Sequence, residues 1–100
     1  VYRDLLRGDP ENPGYLGGLG WTQVQQGQAG LGRASLERAV AARPKDAVLL
    51  DHLADALFQL KEYKEAAAMW DRALAGDGQG LDVEAVTKKR ERARQLAGRK

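Results

Sequence analysis

Apolar residues recur at helical spacing in six blocks of this chain, and turn-forming residues separate the blocks. The clearest stretch runs from Lys45 to Ala75. Asp46 is placed to cap a helix over 47–60 whose inward face carries Leu49, Leu50, Leu53, Ala54 and Leu57. Lys61 and Glu62 make a turn, and a second helix over 63–75 turns Ala66, Met69, Trp70, Ala73 and Leu74 inward. Its Lys64, Glu65, Asp71 and Arg72 face out.

A fainter copy of that pair lies earlier in the chain, at the offset that also separates Pro10 from Pro44. Asn12 is placed to cap a helix over 13–27 with Pro13 at its first position. Leu16, Leu19 and Val24 repeat at helical spacing there, although Gly14, Gly17, Gly18 and Gly20 each cost about 1 kcal/mol relative to Ala. Gly27 ends that helix. The next, over 29–42, is expected to turn Leu31, Leu36, Ala39 and Val40 inward and Arg33, Glu37, Arg38 and Arg43 to water. In front, 1–7 reads as the last turns of a helix stopped at Gly8, Asp9 and Pro10. Behind, Gly76–Gly80 is a connection, and Asp82 is placed to cap a final helix over 83–96. Val83, Val86, Ala93, Leu96 and Ala97 form its thin apolar stripe. Helices this short do not bury an apolar face in pairs, so a unit recurring at a fixed period must stack on its neighbours.

The residues at that period resemble the tetratricopeptide repeat, a helix-turn-helix unit of about 34 residues. The second copy, 47–80, supplies Leu50, Leu53, Ala54, Leu57, Ala66, Trp70 and Ala73, with Gly78 where a proline is usual. The first, 13–46, supplies Leu16, Leu19, Gly20, Gly32, Leu36, Ala39 and Pro44, and departs at Gln23, where a large apolar residue is usual. Tyr2, Leu5 and Pro10 fit the tail of a preceding unit over 1–12. The segment DHLADALFQL with its EAAAMWDRAL helix also resembles the last repeat before a capping helix in bacterial repeat proteins. The resemblance implies an all-α fold, an α-solenoid of antiparallel helix-turn-helix repeats closed by a capping helix over 81–100. Small residues at the crossings, Gly20 with Gly32 and Ala54 with Ala66, suit close helix approach, and Leu36 and Trp70 are of a size to fill the gaps beside them.

Composition narrows the function. The chain is 43% hydrophobic and 30% charged, and no apolar run approaches the roughly 18 residues that span a bilayer. Cysteine is absent, which removes disulfides, thiol catalysis and thiolate metal sites and is compatible with either a reducing or an oxidising compartment. The first residue is Val1 and no targeting segment is visible, so the chain reads as a piece of a longer protein. The net charge of +2 is uneven. Seven Lys or Arg stand against three acids from Asp82 onward, leaving about −2 on the rest of the chain.

In proteins of the resembled family the first helix of each unit lines a concave face that binds extended peptides or partner helices. That implies a partner-binding set of Trp21, Val24 and Gln25 from the first unit, beside Gly14, Gly17 and Gly18. From the second unit it implies Val48, Asp51, His52, Asp55, Phe58 and Gln59. Trp21 and Phe58 suit apolar anchors; Trp21 equally suits packing between units, and Phe58 suits such packing better than an anchor role. Asp51 and Asp55, one turn apart, suit a basic group on the partner, which points to a neutral or basic segment. The lone His52 reads as a surface or capping residue, and no metal or cofactor is expected. The family's Lys and Asn pattern for clamping a C-terminal carboxylate is missing.

The rival reading is contact with nucleic acid or an anionic surface through Lys88, Lys89, Arg90, Arg92 and Arg94, extended by Arg99 and Lys100. No aromatic is interleaved with that run, so bases have no stacking platform. An enzyme is not expected. Ser35 has no histidine or base in register, and the glycine clusters fall in helices or interhelical turns rather than in a phosphate loop after a strand. Apolar residues at the N-terminal edge, Tyr2, Leu5, Leu6, Leu16 and Leu19, are expected to favour self-association.

Overall fold

Three side-chain carboxylate or amide oxygens start three of the helices. Asn12 Oδ1 accepts from the Tyr15 backbone N–H at 3.1 Å, Asp46 Oδ1 from Leu49 at 3.1 Å, and Asp82 Oδ1 from Ala85 at 3.0 Å. The structure, a computed structural model, describes residues 2–76 and 80–98, with side chains from Asp4 onward. The side chain of Tyr2, and Val1, Gly78, Arg99 and Lys100, lie outside the described residues.

Six helices follow in order: α1 Tyr2–Gly8, α2 Pro13–Gln25, α3 Ala29–Ala42, α4 Ala47–Gln59, α5 Tyr63–Ala75 and α6 Val83–Ala97. No strand occurs among the described residues. Each helix packs on its successor, and α2 also touches α4. The radius of gyration, 13.1 Å, is that of a compact chain of this length. None of the helices is long and apolar enough to cross a membrane.

Local geometry repeats from the first helix pair to the second. The turn after α2 is closed by Gln28 N–H to Gln23 C=O at 2.8 Å, and the turn after α4 by Glu62 N–H to Leu57 C=O at 2.9 Å. Gly27 and Lys61 occupy the same place in those turns, both left-handed at φ 80° and 64°. The Arg38 guanidinium donates to the Pro10 carbonyl at 3.1 Å, and Arg72 to the Pro44 carbonyl at 3.2 Å. One offset relates every member of the first set to its counterpart, the caps Asn12 and Asp46 included. The period then slips, because the next cap, Asp82, falls later than that offset would place it.

The core runs along the helix pairs. Leu16, Leu36, Leu50, Trp70 and Val86 are its largest fully buried side chains. At the α2/α3 crossing a Cβ on Gly20 would stand 2.6 Å from Leu36 Cγ. One on Gly32 would stand 2.5 Å from Val24 Cγ2 and 2.7 Å from the Gly20 carbonyl. The helices therefore meet closer than any larger residue permits. Ala54 and Ala66, at the corresponding places on α4 and α5, are both fully buried.

Several expected positions differ. Leu31 is 53% exposed. It precedes Leu36 by five positions, which at 3.6 per turn puts the two about 140° apart, so they do not share a face. Val83 is 56% exposed at the first residue of α6, and Ala97 is exposed at the last. Arg33, expected in water, is half-buried and bridges Glu37 at 3.2 Å and Glu65 at 3.3 Å. Leu16 is 1% exposed and takes no part in an open N-terminal edge, and Leu6 and Leu19 are half-buried. Leu5 alone of the described edge residues is open, at 40%, whereas Ala39 and Ala73, its counterparts in the two following units, are buried.

Candidate functional site

Two contacts join the first helices of the successive pairs to each other and to α6. The Trp21 indole on α2 stacks on the His52 imidazole on α4 with ring centroids 4.0 Å apart and planes 8° from parallel. On α4, Asp51 and Asp55 face Lys89 of α6, whose Nζ donates to Asp51 Oδ1 at 2.8 Å and to Asp55 Oδ1 at 3.2 Å. Both carboxylates are largely sheltered, at 18% and 19% exposure. Asp51 Oδ1 also accepts the Trp70 indole N–H at 2.8 Å, and Lys89 Nζ sits 5.4 Å from the Trp70 ring centre. One ammonium is thus held by two carboxylates and an aromatic face.

The titrations follow from that enclosure. Burial raises Asp55 to about 6 even though Lys89 pulls the other way, and the charge of Asp51 adds to the rise. Burial alone would lower the Lys89 ammonium. Its hydrogen bond to Asp51 and the charges of both aspartates outweigh that and hold it above its ordinary value. Burial lowers His52 below its ordinary value, only partly offset by Asp51, so at neutral pH the ring stacked on Trp21 is uncharged.

The sequence-predicted partner-binding residues divide into three groups. Trp21, His52, Asp51, Asp55 and Phe58 come together along this face, with Val48 half-buried nearby on α4 and Gln25 and Gln59 exposed at the ends of α2 and α4. Val24 is 2% exposed and is a core residue packed at the Gly32 crossing, not a surface position. Gly17 is likewise buried, because a Cβ there would stand 2.5 Å from Leu49 Cδ2 of α4. Gly14 is exposed, and Gly18 is half-buried. Asp51 and Asp55, expected to receive a basic group from a partner, receive Lys89 of the same chain.

The basic run is drawn inward as well. Arg90 donates to Asp71 Oδ1 at 3.3 Å, and Arg94 binds both oxygens of that carboxylate at 3.0 and 3.2 Å. Lys89, Arg90 and Arg94 therefore tie α6 to α4 and α5. Lys88 makes an exposed pair with Glu84 at 3.4 Å, and Arg92 is in no ion pair among the described residues. Of the five described cations, two are left facing outward.

The sequence pattern does not predict the Gln23–Ser35 pair. Gln23 is the one buried polar side chain among the described residues, and its Oε1 accepts the Ser35 hydroxyl at 2.9 Å. The available signal is a polar residue in the place that Leu57 fills in the second unit. The Phe58 cluster is only half legible from sequence: its ring stands edge-on to Tyr63 at 5.1 Å and tilted on Trp70 at 5.9 Å.

Comparison with protein-family models and with curated proteins gives no match to this chain.

Proposed function

We propose that this chain is a tetratricopeptide-like helical-repeat module that holds a peptide or partner helix of another protein on the face of α2, α4 and α6. The observation that carries this reading is the run of contacts from Trp21 to His52 and from Asp51 and Asp55 to Lys89. It aligns three helices separated in sequence by α3 and α5 into one surface. The recurrence of turns, caps and arginine-to-carbonyl bonds at one offset supports a solenoid arrangement for the same helices. Aromatic residues held rigid by their neighbours, with charged groups around them, are the composition of binding hot spots. The reading is of a scaffold rather than a catalyst.

The test is an unbiased peptide-display selection against the wild type and against Trp21→Ala and Phe58→Ala variants of unchanged helicity. Peptides enriched on the wild type and lost on either variant are expected. An enrichment indifferent to both substitutions contradicts the proposal.

A further inference from the structure

A pocket of about 240 Å³ opens where α4, α5 and α6 meet, lined by Asp55, Phe58, Trp70, Lys88, Lys89 and Arg92. Its volume lies below the roughly 300 Å³ at which small-molecule sites begin, and suits a single side chain. Phe58 and Trp70 supply the apolar surface, and Phe58 is braced by both Tyr63 and Trp70, so the floor is formed before anything binds.

The charges at the rim are unequal in availability. Asp55 is met by Lys89, and Lys89 by Asp51 and Asp55, so the ammonium is fully engaged and the net charge of −1 that the trio keeps sits on two largely sheltered carboxylates. Lys88 and Arg92 stand one turn apart on α6, and both are exposed. The pair of Lys88 with Glu84 is an exposed one that an incoming carboxylate displaces at little cost. What remains is an apolar floor for one side chain with two cations beside it.

From this geometry, and resting on the peptide-binding reading above, we infer that the pocket receives an apolar side chain of an acidic peptide segment, with flanking carboxylates paired to Lys88 and Arg92. The partner's polarity is then the reverse of what Asp51 and Asp55 imply from sequence, because Lys89 occupies those carboxylates from within the chain. Arg92 suits the role, since a guanidinium pairs a carboxylate in a two-pronged fashion. The carboxylates come from acidic side chains within the segment, so a free C-terminus is not required.

The experiment is fluorescence anisotropy with three labelled peptides, each capped by N-acetyl and C-amide groups: a Phe among Glu residues, the same with Gln, and the same with Lys. The proteins are the wild type and the Lys88→Glu/Arg92→Glu double variant, whose changes fall on exposed positions. The Glu peptide is expected to bind the wild type most tightly and to lose roughly tenfold or more on the double variant, about 1.4 kcal/mol or greater. The Lys peptide is expected to gain on that variant. Should the Lys peptide bind the wild type as tightly as the Glu peptide does, this inference is overturned while the peptide-binding reading stands. If none of the three binds and an unbiased peptide library also yields nothing, both fall.

Discussion

Lys89 Nζ donates to Asp51 Oδ1 at 2.8 Å, joining α6 to a helix far back along the chain. That bond, with its companion to Asp55, decides which charges on the face of α2, α4 and α6 are open to a partner. It also pins α6 to α4, although α6 rests mainly on α5.

Removing the cation while keeping an apolar stem over Trp70, as in Lys89→Met, leaves Asp51 and Asp55 sheltered and facing each other. The cost is discounted for the partial exposure of Lys89, and a loss of about 1–2 kcal/mol is expected. Urea unfolding followed by circular dichroism measures it. Adding Asp55→Asn to Lys89→Met is expected to recover part of the loss, because the remaining repulsion is gone.

Asp55 gives a pH signature of unusual sign. Its folded-state pKa is about 6, above its ordinary 3.8, so over that window the native chain takes up a proton that the unfolded chain does not. Its contribution to stability is complete below 3.8 and is lost as pH rises through about 6. His52 works the opposite way. Its lowered pKa contributes stability above its ordinary 6.5 that is lost as pH falls through the folded value. Comparing the wild type with Asp55→Asn isolates the first effect. The wild type is expected to gain relative stability between about pH 7 and pH 5, by at most about 1.4 kcal/mol per pH unit. A difference that does not change with pH contradicts the assignment.

The paired turns make a sharper test of the backbone. Lys61 holds a left-handed conformation at φ 64°, where Gly27 serves in the matching turn. Lys61→Gly is therefore expected to raise stability by about 1 kcal/mol, and Gly27→Ala to lower it by about the same. Thermal melts of the two variants should move in opposite directions.

Glycines in one helix should also part ways. A Cβ added at Gly30 would meet nothing within 4 Å, and Gly30→Ala is expected to gain up to about 1 kcal/mol. Gly32→Ala drives a methyl toward the Gly20 carbonyl and Val24, and is expected to cost about 1–3 kcal/mol. Denaturant midpoints read both.

Much of this fold is written locally. Asn12, Asp46 and Asp82 name their helix starts because a short polar side chain before an apolar run has one obvious backbone donor to bind. Gly20 and Gly32 mark the crossing because only glycine allows that approach. The site is less legible. Asp51 and Asp55 look like a receptor for a partner's cation until α6 is folded back, and no periodicity shows that Lys89 ends there while Lys88 stays outside. Val24 misleads in the same way. Its spacing fits two faces of α2, and the glycine opposite it on α3 draws it into the core. Long-range partners, rather than helix spacing, determine which polar groups remain available.

The most direct measurement is two-dimensional NMR of the isotopically labelled chain titrated with peptides from the display selection. Saturable shifts are expected at the Trp21 and Trp70 indole N–H signals and at backbone amides of α2, α4 and α6 around Trp21, His52, Phe58 and Arg92. Shifts confined to the outward face of α3 and α5, around Arg33, Glu37 and Glu65, would contradict the account.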